Sequence, residues 1–244
     1  MSPIRPPRPA SLSAVTTAIV NCGRCPRLRS YCQEVGRNKK AAHQDDTYWA
    51  RPVPGFGDPE ARVLILGLAP AAHGANRTGR VFTGDGVGAS GDFLMAALHR
   101  AGLANIPTSQ CVDDGLSLTG VYISAAVRCA PPANKPLPAE IDTCLDHLVD
   151  EVSQLRRLAL VVALGKIAWD AWLVAWARDG VAIRPKPRFG HGEIVVAPDQ
   201  PGHTSGVQTL VGCYHPSRQN TNTGTVTAAM YDEVFRGVRA RLGS

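Results

Sequence analysis

The chain has 244 residues, of which 44% are hydrophobic and 19% are charged, a composition typical of globular proteins that excludes an intrinsically disordered chain. Its formal net charge of +6 is modest for this length but favours a polyanionic partner. The longest purely apolar run, 158–164, is far shorter than the about 20 residues that span a membrane, so we expect no membrane partner.

The N-terminal region predicts a flexible arm followed by one large domain. Residues 1–10 contain four prolines and are expected to form a disordered arm, and a short helix is expected over residues 11–21. Two arginines and an apolar stretch give a weak likeness to a signal peptide, but Asn21 stands where a cleavage site needs a small residue. We therefore expect a cytoplasmic protein with a single domain over residues 11–244.

Short apolar runs alternate with helical patterns along the rest of the chain. Four runs predict buried strands: Arg62–Gly67, Gly120–Val127, Ala159–Gly165 and Gln208–Gly212. Four segments show helical spacing: Gly91–Ala101, Pro138–Arg156, Lys166–Ala177 and Thr225–Leu242. This alternation predicts an α/β fold with a parallel sheet. Residues 178–206 are interpreted as an insertion or hairpin, in which Glu193–Ala197 is a candidate strand.

Two polar loops follow predicted strands on the same side of the sheet. The first, residues 67–86, is rich in glycine and other small residues. The second, residues 213–224, contains His215, which Pro216 keeps out of helical geometry. Ligands of open α/β sheets bind beyond the carboxyl ends of the strands, so these loops form the candidate site.

The cysteines indicate a metal or cluster rather than disulfides. Seven is an odd number, so a complete disulfide framework would leave one thiol over. Cys22 and Cys25 form a C-x₂-C pair, while Cys129 and Cys144 flank a proline-rich loop. Four thiols can hold zinc or an iron–sulfur cluster, and the residues alone favour zinc. Cys32 is a rival ligand.

Together, the loops and cysteines resemble family 5 of the uracil-DNA glycosylase superfamily, the type with an iron–sulfur cluster. The resemblance covers roughly residues 20–240. It rests on Gly67–Gly74, Asn76–Arg80, Phe82–Asp85, Ala126–Pro132 with Asn134–Pro136, and His215–Gly224. It implies a three-layer α/β/α sandwich around a four-stranded parallel sheet. It also implies a [4Fe–4S] cluster in place of zinc, with the ligands Cys22, Cys25, Cys129 and Cys144.

The resemblance further implies a monofunctional DNA glycosylase that removes uracil, and other deaminated bases such as hypoxanthine and xanthine, from double-stranded DNA during base excision repair. Cleaving an N-glycosidic bond builds positive charge on the sugar and negative charge on the departing base. Asp85 is the candidate that stabilises the positive charge on the sugar, and His215 is the candidate that stabilises the negative charge on the base. Asn134 is a third catalytic candidate. Phe82 can stack on the extruded base. The other candidate base contacts are Gly67, Ala69, His73 and Asn220.

Candidate DNA contacts lie mainly on the same two loops. They are Arg77, Arg80, Ser217, Arg218 and Gln219, with Arg128 and Lys135 as further phosphate contacts. Residues 216–219 are the expected wedge that fills the gap left by the base, and the enzyme is expected to act as a monomer.

Two other functions fit the sequence less well. A non-catalytic iron–sulfur DNA-binding module needs neither Asp85 nor His215. A phosphate-ester hydrolase needs a set of metal-binding carboxylates, of which these loops offer only Asp85.

Overall fold

A computed structural model describes residues 9–86, 88–198 and 206–242 of the chain. Its sheet has the strand order β1-β3-β2-β4-β6-β5. The strands are β1 (Phe56–Gly57), β2 (Val63–Gly67), β3 (Val121–Ala125), β4 (Leu160–Leu164), β5 (Ile194–Val196) and β6 (Thr209–Cys213). The helices are α1 (Leu12–Val20), α2 (Pro26–Asn38), α3 (Ala75–Thr78), α4 (Ser90–Arg100), α5 (Pro138–Gln154), α6 (Lys166–Arg178), α7 (Arg218–Asn222) and α8 (Ala228–Leu242).

The central strands β3, β2, β4 and β6 run parallel, which confirms the predicted four-stranded parallel sheet. In this register Ile65 of β2 lies between Ile123 of β3 and Val162 of β4. The candidate strand at 193–197 is present as β5, which pairs antiparallel with β6. The opposite edge is the two-residue strand β1, too short to show a sequence pattern.

Alternate strand residues face two separate cores, as expected of a sheet covered on both sides. Val63 and Ile65 pack into a cluster with residues of α4 and α8. Leu64 and Leu66 pack on the other face with residues of α5 and α6, including Trp169. Helices therefore cover both faces, and the α/β/α sandwich is confirmed.

The predicted N-terminal helix is present as α1, where the hydroxyl of Ser11 accepts from the backbone N–H of Ala14 at 3.2 Å. Most of the predicted flexible arm, residues 1–8, lies outside the described residues. The helix α2 was not predicted, because only Leu28 and Cys32 of its 13 residues are buried. Across the described ranges, no helix is both long and apolar enough to cross a membrane.

Parallel strands deliver their following loops to one edge of the sheet. There β2 ends at Gly67, β3 at Ala125 and β6 at Cys213. The two predicted site loops therefore meet beside the loop that carries Asn134.

Candidate functional site

A cavity of about 590 Å³ opens at this carboxyl edge. The first loop contributes Leu68, Ala69, Ala71, Ala72, His73, Gly74, Val81, Phe82, Gly84 and Asp85. The other lining residues are Lys40, His43, Ala89, Ser90, Ala125, Asn134, His215, Ser217 and Arg218. Six of the predicted catalytic or base-contacting residues thus share one cavity: Asp85, His215, Phe82, His73, Asn134 and Ala69. This size is in the range of small-molecule sites.

Asp85 lies against the backbone of the first loop. A Cβ atom placed on Gly74 would stand only 1.6 Å from Asp85 Oδ1, so the carboxyl group occupies the space that a side chain at this position would fill. Burial raises the pKa of Asp85 to about 6, although the positive charges of Arg77 and Arg218 oppose that rise. The group is therefore mostly ionised at neutral pH and titrates just below it.

Phe82 is held in an unusual backbone conformation between two glycines. Its φ of 52° lies in the left-handed region that non-glycine residues seldom adopt. A Cβ on Gly67 would meet the Phe82 ring at 2.8 Å, and one on Gly91 would meet the Phe82 carbonyl oxygen at 2.2 Å. The ring lies beside the imidazole of His215, with centroids 6.1 Å apart and planes tilted by 32°. These contacts fix an aromatic surface in the cavity.

His215 follows directly from the buried strand β6. The side-chain amide of Asn220 donates to the His215 carbonyl at 2.8 Å and fixes the backbone of the turn. Burial lowers the pKa of His215 to about 4, because the protein shields the charged imidazolium from water. At neutral pH the ring is therefore uncharged and offers one N–H donor.

The other predicted base contacts differ in how directly they reach the cavity. His73 lines it, and its Nδ1 hydrogen-bonds with the hydroxyl of Tyr48 at 2.9 Å. Asn134 lines the rim on an exposed turn, with a φ of 56°. Gly67 instead supports the Phe82 ring, and Asn220 acts through the backbone of His215.

Two of the predicted phosphate contacts, Arg77 and Arg80, have ion-pair partners within the protein, and their role as DNA contacts stays a prediction. Arg80 is buried and pairs with Asp114 at 2.6 Å. The guanidinium group of Arg77 bonds to Asp46 and to two backbone carbonyls. Both guanidinium groups are thus held by partners within the protein.

Arg128, the further candidate, is also buried, and it pairs with Glu151 at 2.7 Å. Arg218 remains exposed beside the cavity, and Ser217 also lines it. Gln219 and Lys135 are exposed outside the lining.

Lys40 and His43 line the cavity and were not predicted. They belong to the segment between α2 and β1, which carries no sequence signal of a site. The ion pair between Arg77 and Asp46, 2.7 Å long, holds this segment to the first loop. Long-range contacts of this kind, which the sequence does not show, place the two side chains at the site.

The predicted cluster ligands lie around a small apolar core. Cys129 and Cys144 are buried in it, with Cys25 packed against it. Burial raises the pKa of the Cys25 thiol, and the nearby thiols of Cys129 and Cys22 raise it further. Cys144 also responds to the thiols of Cys129 and Cys22, although burial contributes most to its raised pKa. The four predicted ligands are therefore electrostatic neighbours.

Backbone and side-chain donors point at two of these sulfur atoms. The N–H of Arg128 donates to Cys144 Sγ at 3.3 Å, and Arg24 Nε donates to Cys22 Sγ at 3.5 Å. Cys32, the rival ligand, shares a hydrogen bond with the thiol of Cys129. Within the described part of the chain, no three His, Cys, Asp or Glu side chains are grouped to hold a metal ion.

Comparison with known proteins agrees with this architecture. The family model described as the uracil DNA glycosylase superfamily matches residues 54–239. A type-5 uracil-DNA glycosylase of Mycobacterium bovis is 49% identical over 234 residues, covering 96% of this chain and 82% of that protein. The chain belongs to the uracil-DNA glycosylase superfamily, in its type-5 group.

Two further members of the type-5 group match over nearly their full length. The type-5 uracil-DNA glycosylase of Mycobacterium leprae is 48% identical, with 96% of each chain covered. That of Thermus thermophilus is 47% identical, covering 94% of this chain and 98% of the relative. The family resemblance stated from the sequence is therefore confirmed.

Proposed function

We propose that this protein is a monofunctional DNA glycosylase that hydrolyses the N-glycosidic bond of uracil in double-stranded DNA, a step of base excision repair. The observation that carries the proposal is the shared cavity of Asp85, His215 and Phe82 in a chain of this superfamily. The names of the type-5 relatives support uracil as the substrate base.

The target base must leave the duplex to reach this cavity, at a cost of a few kcal/mol. Phe82 offers a face on which the base can stack, and its position is fixed by Gly67 and Gly91. The loop over residues 216–219 supplies the wedge that fills the gap in the duplex. The enzyme acts as a monomer in this proposal.

Asp85 provides the negative charge that the reaction needs near the sugar. As the bond to the base lengthens, positive charge grows on the sugar, and an ionised carboxylate stabilises it. Its oxygens accept no hydrogen bond from any described residue, which leaves them available to orient the attacking water. Asn134, on the rim, assists in placing that water or the base edge.

His215 provides a hydrogen bond to the departing base. Its ring is uncharged at neutral pH, and the N–H that it keeps donates to a carbonyl oxygen of the base. This hydrogen bond strengthens as negative charge accumulates on the base. His73, oriented by Tyr48, stands on the same cavity wall.

The small residues of the first loop favour a broad choice of bases. Ala69 and Ala71 line the cavity and carry no polar side chain. Selectivity against an altered base edge depends on buried polar partners that the wrong base leaves unpaired. Without such a partner, hypoxanthine and xanthine are substrates as well as uracil.

The thiols of Cys22, Cys25, Cys129 and Cys144 hold a [4Fe–4S] cluster in this proposal. Their chemistry fits, because Cys₄ sets bind such clusters and N–H groups directed at sulfur are typical of them. The cluster has a structural role, since bond hydrolysis transfers no electrons.

The cluster is tested by the iron and sulfide content and the visible absorption of the purified protein. Cys144→Ala is expected to lose both, while Cys111→Ala, at an exposed cysteine, retains them. Zinc in place of iron in anaerobically purified wild-type protein would contradict the cluster assignment.

The activity is tested with a duplex that carries one U:G pair, followed by alkali to cleave abasic sites. We expect strand cleavage at the uracil, and none in the same duplex with a C:G pair. Matched duplexes with hypoxanthine or xanthine test the broader substrate range. Tight binding of the U:G duplex without base release would instead support a non-catalytic DNA-binding module.

A further inference from the structure

Arg77 connects three separate segments through its guanidinium group. Nε donates to the His73 carbonyl at 2.9 Å, and one terminal nitrogen donates to the Gly84 carbonyl at 2.8 Å. The other terminal nitrogen pairs with Asp46 at 2.7 Å. We propose that Arg77 is a positioning residue that fixes Asp85 in its place against Gly74. The inference rests on the proposed glycosylase function.

The two carbonyl groups that accept from Arg77 belong to the residues just before Gly74 and Asp85, and these two residues are in contact. His73 comes directly before Gly74, and Gly84 comes directly before Asp85. The rigid, planar guanidinium group of Arg77 therefore joins the two stretches of the first loop that bring the Asp85 carboxyl against Gly74. A displacement of about 1 Å in such a site can cost a hundredfold in rate.

The peptide unit next to Asp85 has little other freedom. Gly84 has a φ of 75°, which favours glycine, and its N–H donates to the Ser109 carbonyl at 2.9 Å. A Cβ at Gly84 would also lie only 2.8 Å from a terminal nitrogen of Arg77. Arg77 thus contacts Gly84 closely from one side, while Ser109 holds it from the other.

The outer end of Arg77 is fixed as well. Asp46 Oδ2 accepts from Arg77 and lies 3.1 Å from Nδ1 of His43. The Arg77 carbonyl accepts from the backbone N–H of Trp49 at 2.9 Å. The wall that carries Lys40 and His43 is therefore attached to the residue that holds Asp85.

The positive charge of Arg77 also acts on Asp85. Burial raises the pKa of Asp85, Arg77 and then Arg218 oppose the rise, and Asp92 adds to it. The guanidinium group stays charged at every pH at which the enzyme works. Removing its charge makes Asp85 harder to ionise, whereas replacing it with another cation does not.

Two substitutions of Arg77 distinguish its role in positioning Asp85 from the effect of its positive charge. Arg77→Gln removes both the three-way fork and the charge, and Arg77→Lys removes only the fork. Rates are measured with enzyme in excess over a U:G duplex, from below to above the Asp85 pKa of about 6. DNA affinity is measured separately by fluorescence anisotropy with a non-hydrolysable uracil analogue.

We expect Arg77→Gln to lower the rate plateau about 10- to 100-fold and to shift the acidic limb to higher pH. Arg77→Lys should lower the plateau by a similar factor and leave the limb in place. Affinity should change less than about twofold in both, because three hydrogen bonds hold the Arg77 guanidinium within the protein. A carbon-13 titration of the Asp85 carboxyl checks the same shift without any turnover.

Arg100→Gln is the matched control, since it breaks an arginine–aspartate pair on the surface between α4 and α8. This control should change neither the rate plateau nor the pH of the acidic limb. An unchanged plateau in Arg77→Lys would overturn the inference, even if Arg77→Gln were too unstable to purify. Wild-type protein that releases no uracil would refute the proposed function, whereas active wild-type protein with unaffected Arg77 variants would refute only this inference.

Discussion

The cavity and the cysteine region are neighbours that differ in the side chains that form them. In the cavity, burial raises the pKa of Asp85 and lowers that of His215, and Phe82 has a left-handed backbone. The cysteine region is instead a small core in which Cys129 and Cys144 pack with Leu28 and other apolar residues. The cavity thus holds polar groups whose charged forms burial disfavours, while the cysteine region is a small apolar core that surrounds thiols.

The two regions are nevertheless in direct contact. Ala69 and Ala72 of the first loop line the cavity and also pack against the cysteine core. Asn76 adds a second link, since its buried side-chain amide donates to the carbonyls of Cys32 and Ala72, each at 3.3 Å. Damage to the cysteine core is therefore expected to reach the cavity, whereas loss of a cavity side chain should leave the core intact.

The sharpest test of this contrast is Asp85→Asn. We expect the rate of uracil release to fall about 1,000-fold, because the amide cannot stabilise positive charge on the sugar. The protein should at the same time become more stable near neutral pH, by about 1–2 kcal/mol. Urea denaturation and single-turnover kinetics on the same sample measure both effects.

The sign of the stability change follows from the raised pKa of Asp85 in the folded protein. Between about pH 4 and 6 the folded state holds a proton that the unfolded state has lost, so the ionised group costs stability as the pH rises. The gain in Asp85→Asn should therefore disappear at acidic pH. A gain of the same size at about pH 4 would show that the raised pKa is not its source.

On the side of the cysteine region, Glu151→Gln should cost about 3 kcal/mol of unfolding free energy. The substitution leaves the fully buried Arg128 without its counter-ion, beside the predicted ligand Cys129. The carboxylate also accepts from the N–H of Gly55 at 3.0 Å. Chemical denaturation measures the loss, with Asp232→Asn, at a surface pair, expected to cost less than about 1 kcal/mol.

Gly74→Ala tests whether the cavity depends on backbone contact. The new methyl group would occupy the position of Asp85 Oδ1, so the carboxyl must move and the rate should fall about 100-fold. DNA affinity should stay within about threefold of wild type, because Gly74 is not a predicted DNA contact. Gly237→Ala, inside α8, is the control and should leave activity unchanged. An active Gly74→Ala enzyme would contradict the observed position of Asp85.

The smallest effect is expected from Arg218→Gln. Arg218 is exposed beside the cavity, and its loss should weaken binding to all duplexes similarly and reduce the slope of affinity against salt concentration by about 1. Binding titrations at several salt concentrations measure the slope. Arg178→Gln, a surface control paired with Asp142, should leave the slope unchanged.

The strands and long helices were predictable because their apolar spacing is local. The runs that became β2, β3, β4 and β6 were each identified to within a few residues. The helix α2 and strand β1 were missed because one buries few side chains and the other is two residues long. The chemistry of the candidate site was also visible, since Asp85, Phe82 and His215 stand in recognisable segments.

The roles of the arginines were not predictable, because a role depends on distant partners. Arg77 and Arg80 lie in a loop next to the candidate site, where an arginine is a reasonable phosphate contact. Their partners Asp46 and Asp114 lie more than 30 positions away in the sequence, and nothing local marks them. For the same reason, Lys40 and His43 could not be assigned to the cavity.

The glycines at 67, 74 and 91 set a limit on how this protein can evolve. At each of them a single methyl group would stand within 3 Å of Phe82 or Asp85. None of the three has a positive φ, so φ values alone would not mark them as positions that need glycine. In a library of all single substitutions selected for uracil removal, these positions should tolerate no other residue, while substitutions at Ala71, which also lines the cavity, should alter which base is accepted.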